Sequence, residues 1–169
     1  MPEVTLFIDA DACPVTREAL DVARAEQVAV AIAGNSTQNL LRHVRPGDPT
    51  EPPRGGGFWV RTIGVAVGSD SADFAIVSQL EPQDVVVTQD IGLADIVLGR
   101  GARAIGVRGH VYNPLTIDSM MYIRHEEKKV RRSGGRTKGP APFTGEDRAR
   151  FVRNLRALVR EAKQAAREG

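Results

Sequence analysis

The sequence predicts an α/β domain in which a parallel sheet of about five strands lies between two layers of helices. Two observations predict this class. Short apolar segments alternate along the chain with segments of helical spacing, an order typical of parallel sheets. The apolar segments, such as VAVAIA at 28–33, are nearly continuous, as strands covered by helices on both faces require. We expect one domain over residues 1–169, with an α/β core at 1–110 and a basic helical C-terminal extension at 111–169.

Each predicted element follows from its local pattern. Pro14 suits the first turn of a helix, where its missing N–H costs nothing, and Gly99 suits a helix end. The segment PGDPTEPPRGGG at 46–57 has four prolines and four glycines, which predicts an irregular loop. The predicted strands are 4–8, 28–33, 58–67, 84–88 and 102–107. The predicted helices are 14–26, 70–80, 91–98, 116–132 and 146–167.

Composition points to a protein of a reducing compartment. The chain has 169 residues and one cysteine, which excludes an intramolecular disulfide framework. No apolar run approaches the ~20 residues that a membrane helix needs. The first residues lack the basic start of a signal peptide. We therefore expect a cytoplasmic protein that does not associate with membranes, and the sequence is compatible with a homo-oligomer.

Aspartates follow three of the five predicted strands. Asp9 and Asp11 follow the first strand, Asp70 and Asp73 the third, and Asp90 the fourth. In parallel sheets the carboxyl ends of the strands meet at one edge, where ligands bind. Clustered carboxylates repel each other unless a cation joins them, and Mg²⁺ or Mn²⁺ prefers such oxygen ligands. The alternative is that Asp70, Asp73 or Asp90 is only a helix cap, a position that aspartate favours.

Charge is divided unequally along the chain. Residues 1–123 carry 9 basic and 15 acidic side chains, whereas residues 124–169 carry 14 and 6. Residues 124–138, RHEEKKVRRSGGRTK, combine a basic helix with a glycine-rich basic loop. Such a segment could hold a phosphodiester backbone, although ordinary solvated surface explains any single side chain equally well. The basic candidates are Arg124, Arg131, Arg132, Arg136 and Lys138.

Several long segments resemble the YaiI/YqxD family, a group of uncharacterised bacterial proteins placed among the PIN-like domains. They are FIDADACPVTREAL, GSDSADFAIV, VVTQDIGLADIVLGRGA, RGHVYNPLTI and TKGPAPFTGEDRARFVRNLRALV. PIN-like domains are commonly metal-dependent ribonucleases with an acidic cluster at the carboxyl edge of a parallel sheet. The resemblance implies that Asp9 and Asp90 are core acids of such a cluster, completed by Asp11 and by Asp70 or Asp73.

The leading hypothesis is a metal-dependent phosphodiesterase that acts on RNA rather than DNA, or on a nucleotide-like phosphate ester. Its catalytic residues would be Asp9, Asp11, Asp70 and Asp90, with Asp73 as a further ligand of Mg²⁺ or Mn²⁺. Arg17, Thr88 and the basic residues of 124–138 would position the substrate.

Two alternatives remain open. A phosphatase of the haloacid-dehalogenase type would use Asp9 as nucleophile and Asp11 as general acid/base. That chemistry usually also needs a lysine after a later strand, and the first lysine here is Lys128. A non-catalytic module that binds RNA or a protein would keep the fold and the basic segment, with incidental metal binding.

Overall fold

A five-stranded parallel sheet forms the centre of the molecule in the computed structural model, which describes residues 3–35, 39–67, 71–139 and 141–169. The strand order is β3-β2-β1-β4-β5, and each neighbouring pair is parallel. The strands are β1 (Thr5–Asp9), β2 (Ala29–Asn35), β3 (Val60–Val65), β4 (Val85–Val87) and β5 (Arg103–Ile105). The helices of the described ranges are α1 (Thr16–Glu26), α2 (Ser71–Gln79), α3 (Ile91–Gly99), α4 (Ile117–Arg132) and α5 (Gly145–Glu168), with a 3₁₀ helix at Leu40–His43.

Helices cover both faces of the sheet, which confirms the predicted three-layer α/β architecture. Alternate residues of β1 point to opposite faces, so Leu6 and Ile8 pack in one cluster and Phe7 in the other. The first cluster is closed by α1 and α5, whose Leu20 and Phe151 are fully buried. The second is closed mainly by residues of α2 and α3, with Ile117 at the start of α4. Among the helices described, none is long and apolar enough to cross a bilayer.

The strand order reverses at β1. The chain runs from β1 to β2 and β3 on one side, then returns to place β4 and β5 on the other. In open parallel sheets, the crevice beyond such a reversal is where ligands bind. Ile8 pairs with Val87, so the next residues along the two strands, Asp9 and Thr88, lie side by side at this point.

Strand and helix boundaries coincide with the sequence prediction or differ from it by one or two residues, and the largest shortfall in length is in strands. The predicted strand 58–67 is β3, six residues long, and the predicted strand 102–107 is β5, three residues long. The apolar residues that flank β5, Ala102 and Val107, are still buried. Apolar composition therefore marks the buried segment, whereas pairing with a neighbour decides where the strand ends.

The predicted loop at 46–57 has no helix or strand and is fastened to the body at its start. The Arg24 guanidinium donates from Nε and Nη2 to the two carboxylate oxygens of Asp48, at 2.9 and 2.6 Å. The Val60 amide donates to the Pro49 carbonyl at 2.9 Å. The 3₁₀ helix before this loop was not predicted, because its four residues are too few to show a helical period.

Candidate active site at the carboxyl edge of the sheet

Four of the five predicted aspartates line one open cleft of about 410 Å³ at the point where the strand order reverses. β1 and the turn after it supply Asp9 and Asp11, the first turn of α2 supplies Asp73, and the start of α3 supplies Asp90. Asp70 lies outside the described residues. Three separate stretches of sequence therefore bring carboxylates to one edge, as the strand-end rule requires.

Asp9 is the innermost of these acids, with 9% of its surface exposed. Its Oδ2 accepts a hydrogen bond from the Thr88 hydroxyl at 2.8 Å, and the Asp11 backbone amide donates to the same carboxylate. Burial raises the pKa of Asp9, and the negative charges of Asp11 and Asp90 raise it further, against the opposing effect of the Thr88 hydrogen bond. Hydrogen bonds thus hold the carboxylate in place, while burial and the neighbouring negative charges disfavour its ionised form.

Asp90 caps helix α3, as the alternative interpretation of the sequence allowed. Its Oδ1 accepts from the amides of Gly92 and Leu93, at 2.8 and 3.3 Å. A side chain at Gly92 would approach this oxygen to 3.2 Å. Asp90 can cap the helix and also line the cleft, because both hydrogen bonds from the backbone amides go to Oδ1 alone.

Arg124 is the basic residue that reaches the aspartates. It extends from α4, and its Nη1 lies 3.3 Å from the Asp90 Oδ1. Its side chain is 39% exposed, so solvent screens the pair and its contribution to stability is small. The sequence predicted Arg124 as a substrate-binding residue, and the structure adds that it contacts an acid of the cleft.

The other predicted substrate-binding residues lie elsewhere. Thr88 is fully buried, and its hydroxyl donates to Asp9 and accepts from the Asp90 amide at 3.0 Å. It therefore positions the two acids. Arg17 lines a separate concavity beside α1. The remaining four are exposed at the far end of α4 and in the loop that follows; they are Arg131, Arg132, Arg136 and Lys138.

Two residues of the site were not predicted from the sequence. The Gln89 amide donates to the Ala12 carbonyl at 2.6 Å and lines the cleft, and its position between two candidate residues was a usable signal. The buried Tyr112 hydroxyl donates to the Thr88 carbonyl at 3.2 Å. Burial, with a smaller effect of Asp90, raises the pKa of this tyrosine. No local pattern in the sequence connects Tyr112 to residues 24 positions earlier.

Within the described ranges, no group of three or more His, Cys, Asp or Glu side chains is arranged to hold a metal ion. The carboxylate oxygens that line the cleft are nevertheless of the type that coordinates hard divalent cations. One of these carboxylates, that of Asp90, pairs with Arg124.

Fold and cleft together define a class: α/β proteins with carboxylates gathered at the strand-order reversal of a parallel sheet. Residues 7–161 match the family described as "Uncharacterized BCR, YaiI/YqxD family", and the chain belongs to this family, which confirms the resemblance. A UPF0178 protein of Caulobacter vibrioides is 40% identical over 96% of this chain and 97% of its own length. A UPF0178 protein of Bacillus thuringiensis is 33% identical over 91% of this chain and 97% of its own. No solved structure matches the chain significantly.

Proposed function

We propose that the chain is a divalent-metal-dependent phosphodiesterase that cleaves RNA in the cleft at the carboxyl edge of its sheet. One observation carries the proposal: Asp9, Asp11, Asp73 and Asp90 converge on a single open cleft where the strand order reverses. Structural caps alone do not explain this convergence, because Asp9 ends a strand and is buried beside two other acids.

The donor set suits Mg²⁺ or Mn²⁺. Asp9, Asp11 and Asp90 would hold the ion, with Asp73 at the margin of the cleft; because the described carboxylates are not arranged as a ligand set in the structure, they would have to reorient on binding. When bound, such an ion activates water and polarises a phosphoryl oxygen. Burial is the main cause of the raised pKa of Asp9, and a bound cation would remove the smaller part that comes from repulsion by Asp11 and Asp90.

The chain's own residues orient the reaction. The Thr88 hydroxyl holds the Asp9 carboxylate in one direction, and Tyr112 fixes the backbone that carries Thr88. Arg124 presents a planar guanidinium at the mouth of the cleft, a group that pairs well with phosphate oxygens. Further along α4, Arg131 lies two turns from Arg124 on the same helix face and extends the positive surface.

The decisive test is Asp9→Asn. We expect the variant to lose metal-dependent cleavage of an unstructured oligoribonucleotide by roughly 10³- to 10⁴-fold, as the loss of one member of a catalytic unit does. Its circular dichroism and thermal unfolding should remain those of a folded protein. Asp118→Asn is the matched control, because Asp118 is exposed on α4 and does not line the cleft. Cleavage by purified Asp9→Asn at the wild-type rate would refute the assignment.

One observation favours a second candidate, a non-catalytic RNA-binding module. Arg124 already places a positive charge against Asp90, so the site is partly neutralised without a metal ion. This candidate predicts RNA affinity that falls steeply with salt and no cleavage at any concentration of Mg²⁺ or Mn²⁺. Measuring binding and cleavage on the same labelled oligoribonucleotide separates the two candidates.

A further inference from the structure

Two more concavities continue from the aspartate cleft along the side of α1. The first, of about 670 Å³, shares Ala12 with the aspartate cleft and extends past Cys13 to Arg42 and His43. The second, of about 330 Å³, shares Arg42 and His43 with the first and extends to Arg17 and Arg45. We call these two concavities the side groove. The aspartate cleft and the side groove are thus neighbouring concavities, with Ala12 in the wall of both the cleft and the first part of the groove.

The side groove carries positive charge that acids do not neutralise. Arg24 pairs with Asp48 and Asp21, and Arg45 pairs with Asp21. Across the part of the chain that the structure describes, Arg17 and Arg42 have no acidic partner within salt-bridge distance. Two guanidinium groups therefore face a concavity with their charge available to an anion.

His43 holds one of these guanidinium groups in place. Its Nε2 accepts a hydrogen bond from the Arg42 Nε at 3.1 Å. Burial lowers the pKa of His43, and the charges of Arg42 and Arg17 lower it further, against a smaller opposing effect of Glu18. A lowered pKa favours the neutral ring, in which Nε2 can accept this hydrogen bond. This contact uses only the Nε of Arg42, so its two terminal amino groups can contact a ligand.

Positive groups thus lie both in the aspartate cleft, where Arg124 lines the wall, and in the neighbouring side groove, which Arg42 and Arg17 line. Because these groups line different concavities, a chain of phosphates suits them better than one phosphate does. Each concavity has the volume of a small-molecule pocket, which suits one or two nucleotides of a single strand rather than a duplex. Aromatic residues make up only 5% of the chain, so contacts to the backbone, not stacking on bases, must dominate.

We propose that a single-stranded RNA leaves the aspartate cleft along the side groove, with successive phosphates bound by Arg42 and then Arg17. This inference rests on the proposed function, because it takes the aspartate cleft as the cleavage site. It adds a second binding surface, which predicts that affinity depends on substrate length and is insensitive to base sequence.

The test measures binding of fluorescein-labelled oligoribonucleotides of increasing length by full-length protein that carries Asp9→Asn, so that the RNA stays intact. Arg42→Gln and Arg17→Gln are compared with Arg100→Gln. Arg100 is an exposed arginine at the end of α3, toward the opposite edge of the sheet. We expect each groove variant to lose roughly tenfold in affinity for long oligoribonucleotides and to lower the salt slope by about 0.7. The shortest oligoribonucleotides and the Arg100→Gln control should show no change.

The same oligoribonucleotides, incubated with the wild-type chain and Mn²⁺, separate failure of the groove from failure of the enzyme. If the wild type cleaves the RNA and all variants bind it with equal affinity at every length, the proposal of RNA binding in the side groove is wrong and the proposed nuclease stands. Absence of cleavage with Arg42-dependent binding would overturn the nuclease and support the groove. Equal competition by poly-L-glutamate of matched charge would also overturn it, since the surface would then bind acidic polypeptides as well as RNA.

Discussion

At the scale of single residues, the site depends on a buried hydroxyl. Thr88 was predicted to contact substrate, yet it is fully buried and links Asp9 to the Asp90 amide through two hydrogen bonds. The sequence does not distinguish a threonine that contacts substrate from a buried threonine that positions other side chains. The register between β1 and β4 decides it, because that register places the hydroxyl beside Asp9.

Asp84 is a second buried acid, at the opposite edge of the sheet. Its two carboxylate oxygens accept from the amides of Thr5 and Glu81, at 2.9 and 2.8 Å. Burial outweighs these hydrogen bonds and raises the pKa of Asp84 to about 6. The folded protein therefore binds this proton more tightly than the unfolded chain does, whose aspartate has a pKa near 3.8.

We predict that Asp84 makes the protein less stable as pH rises. The contribution is fully present below about pH 4, declines through about pH 6 and is then constant, a loss of up to ~3 kcal/mol in the free energy of unfolding. Urea titrations of the wild type and Asp84→Asn across this range measure it, because other titrating groups cancel in the difference. Parallel pH profiles of the two proteins would contradict the prediction.

At the scale of elements, the loop after β5 packs closely against α5 at Gly109. Gly109 has a φ of +91°, and its carbonyl accepts from the Asn154 side chain at 2.8 Å. A Cβ atom at this position would lie 2.8 Å from backbone atoms of Arg150 and Phe151. Only glycine satisfies both the backbone conformation and the contact with the helix.

Gly109→Ala should therefore destabilise the protein by about 3 kcal/mol, from left-handed backbone strain together with displacement of α5. Gly101→Ala is the matched control. Its φ is +83°, but the nearest atom to an added Cβ is a Pro82 side-chain carbon at 3.7 Å, so only the strain of about 1 kcal/mol remains. Equal losses in chemical denaturation would show that the contact with α5 contributes nothing.

At the scale of the whole molecule, α5 is part of the core. It belongs to the predicted C-terminal extension of the single domain, and its Phe151, Leu155 and Val159 are fully buried in the cluster that covers one face of the sheet. The cap at its start is a reciprocal pair between Thr144 and Asp147, and Arg108 from the loop after β5 also pairs with Asp147 at 2.9 Å.

Phe151→Ala tests whether the C-terminal segment folds together with the sheet. Loss of this ring should cost 3–5 kcal/mol, by the usual scale for large core residues. If folding is cooperative, Trp59 fluorescence, which reports from the residue before β3, should show the same shift as circular dichroism. The exposed Arg153→Ala should change stability by less than about 0.5 kcal/mol. An unchanged Trp59 transition in Phe151→Ala would mean that the extension folds separately.

The amino-acid sequence by itself determined the α/β class, the order of helices and strands in the described ranges, and the acids at the strand ends. These features depend on local hydrophobic spacing and on the common direction of parallel strands, both of which are visible in short windows of sequence. Tertiary structure decided the rest: the strand order, the role of Thr88, the pairing of Arg124 with Asp90, and the side groove beside α1. Each of these joins residues far apart in the chain, and only the packing of helices on the sheet brings such residues together.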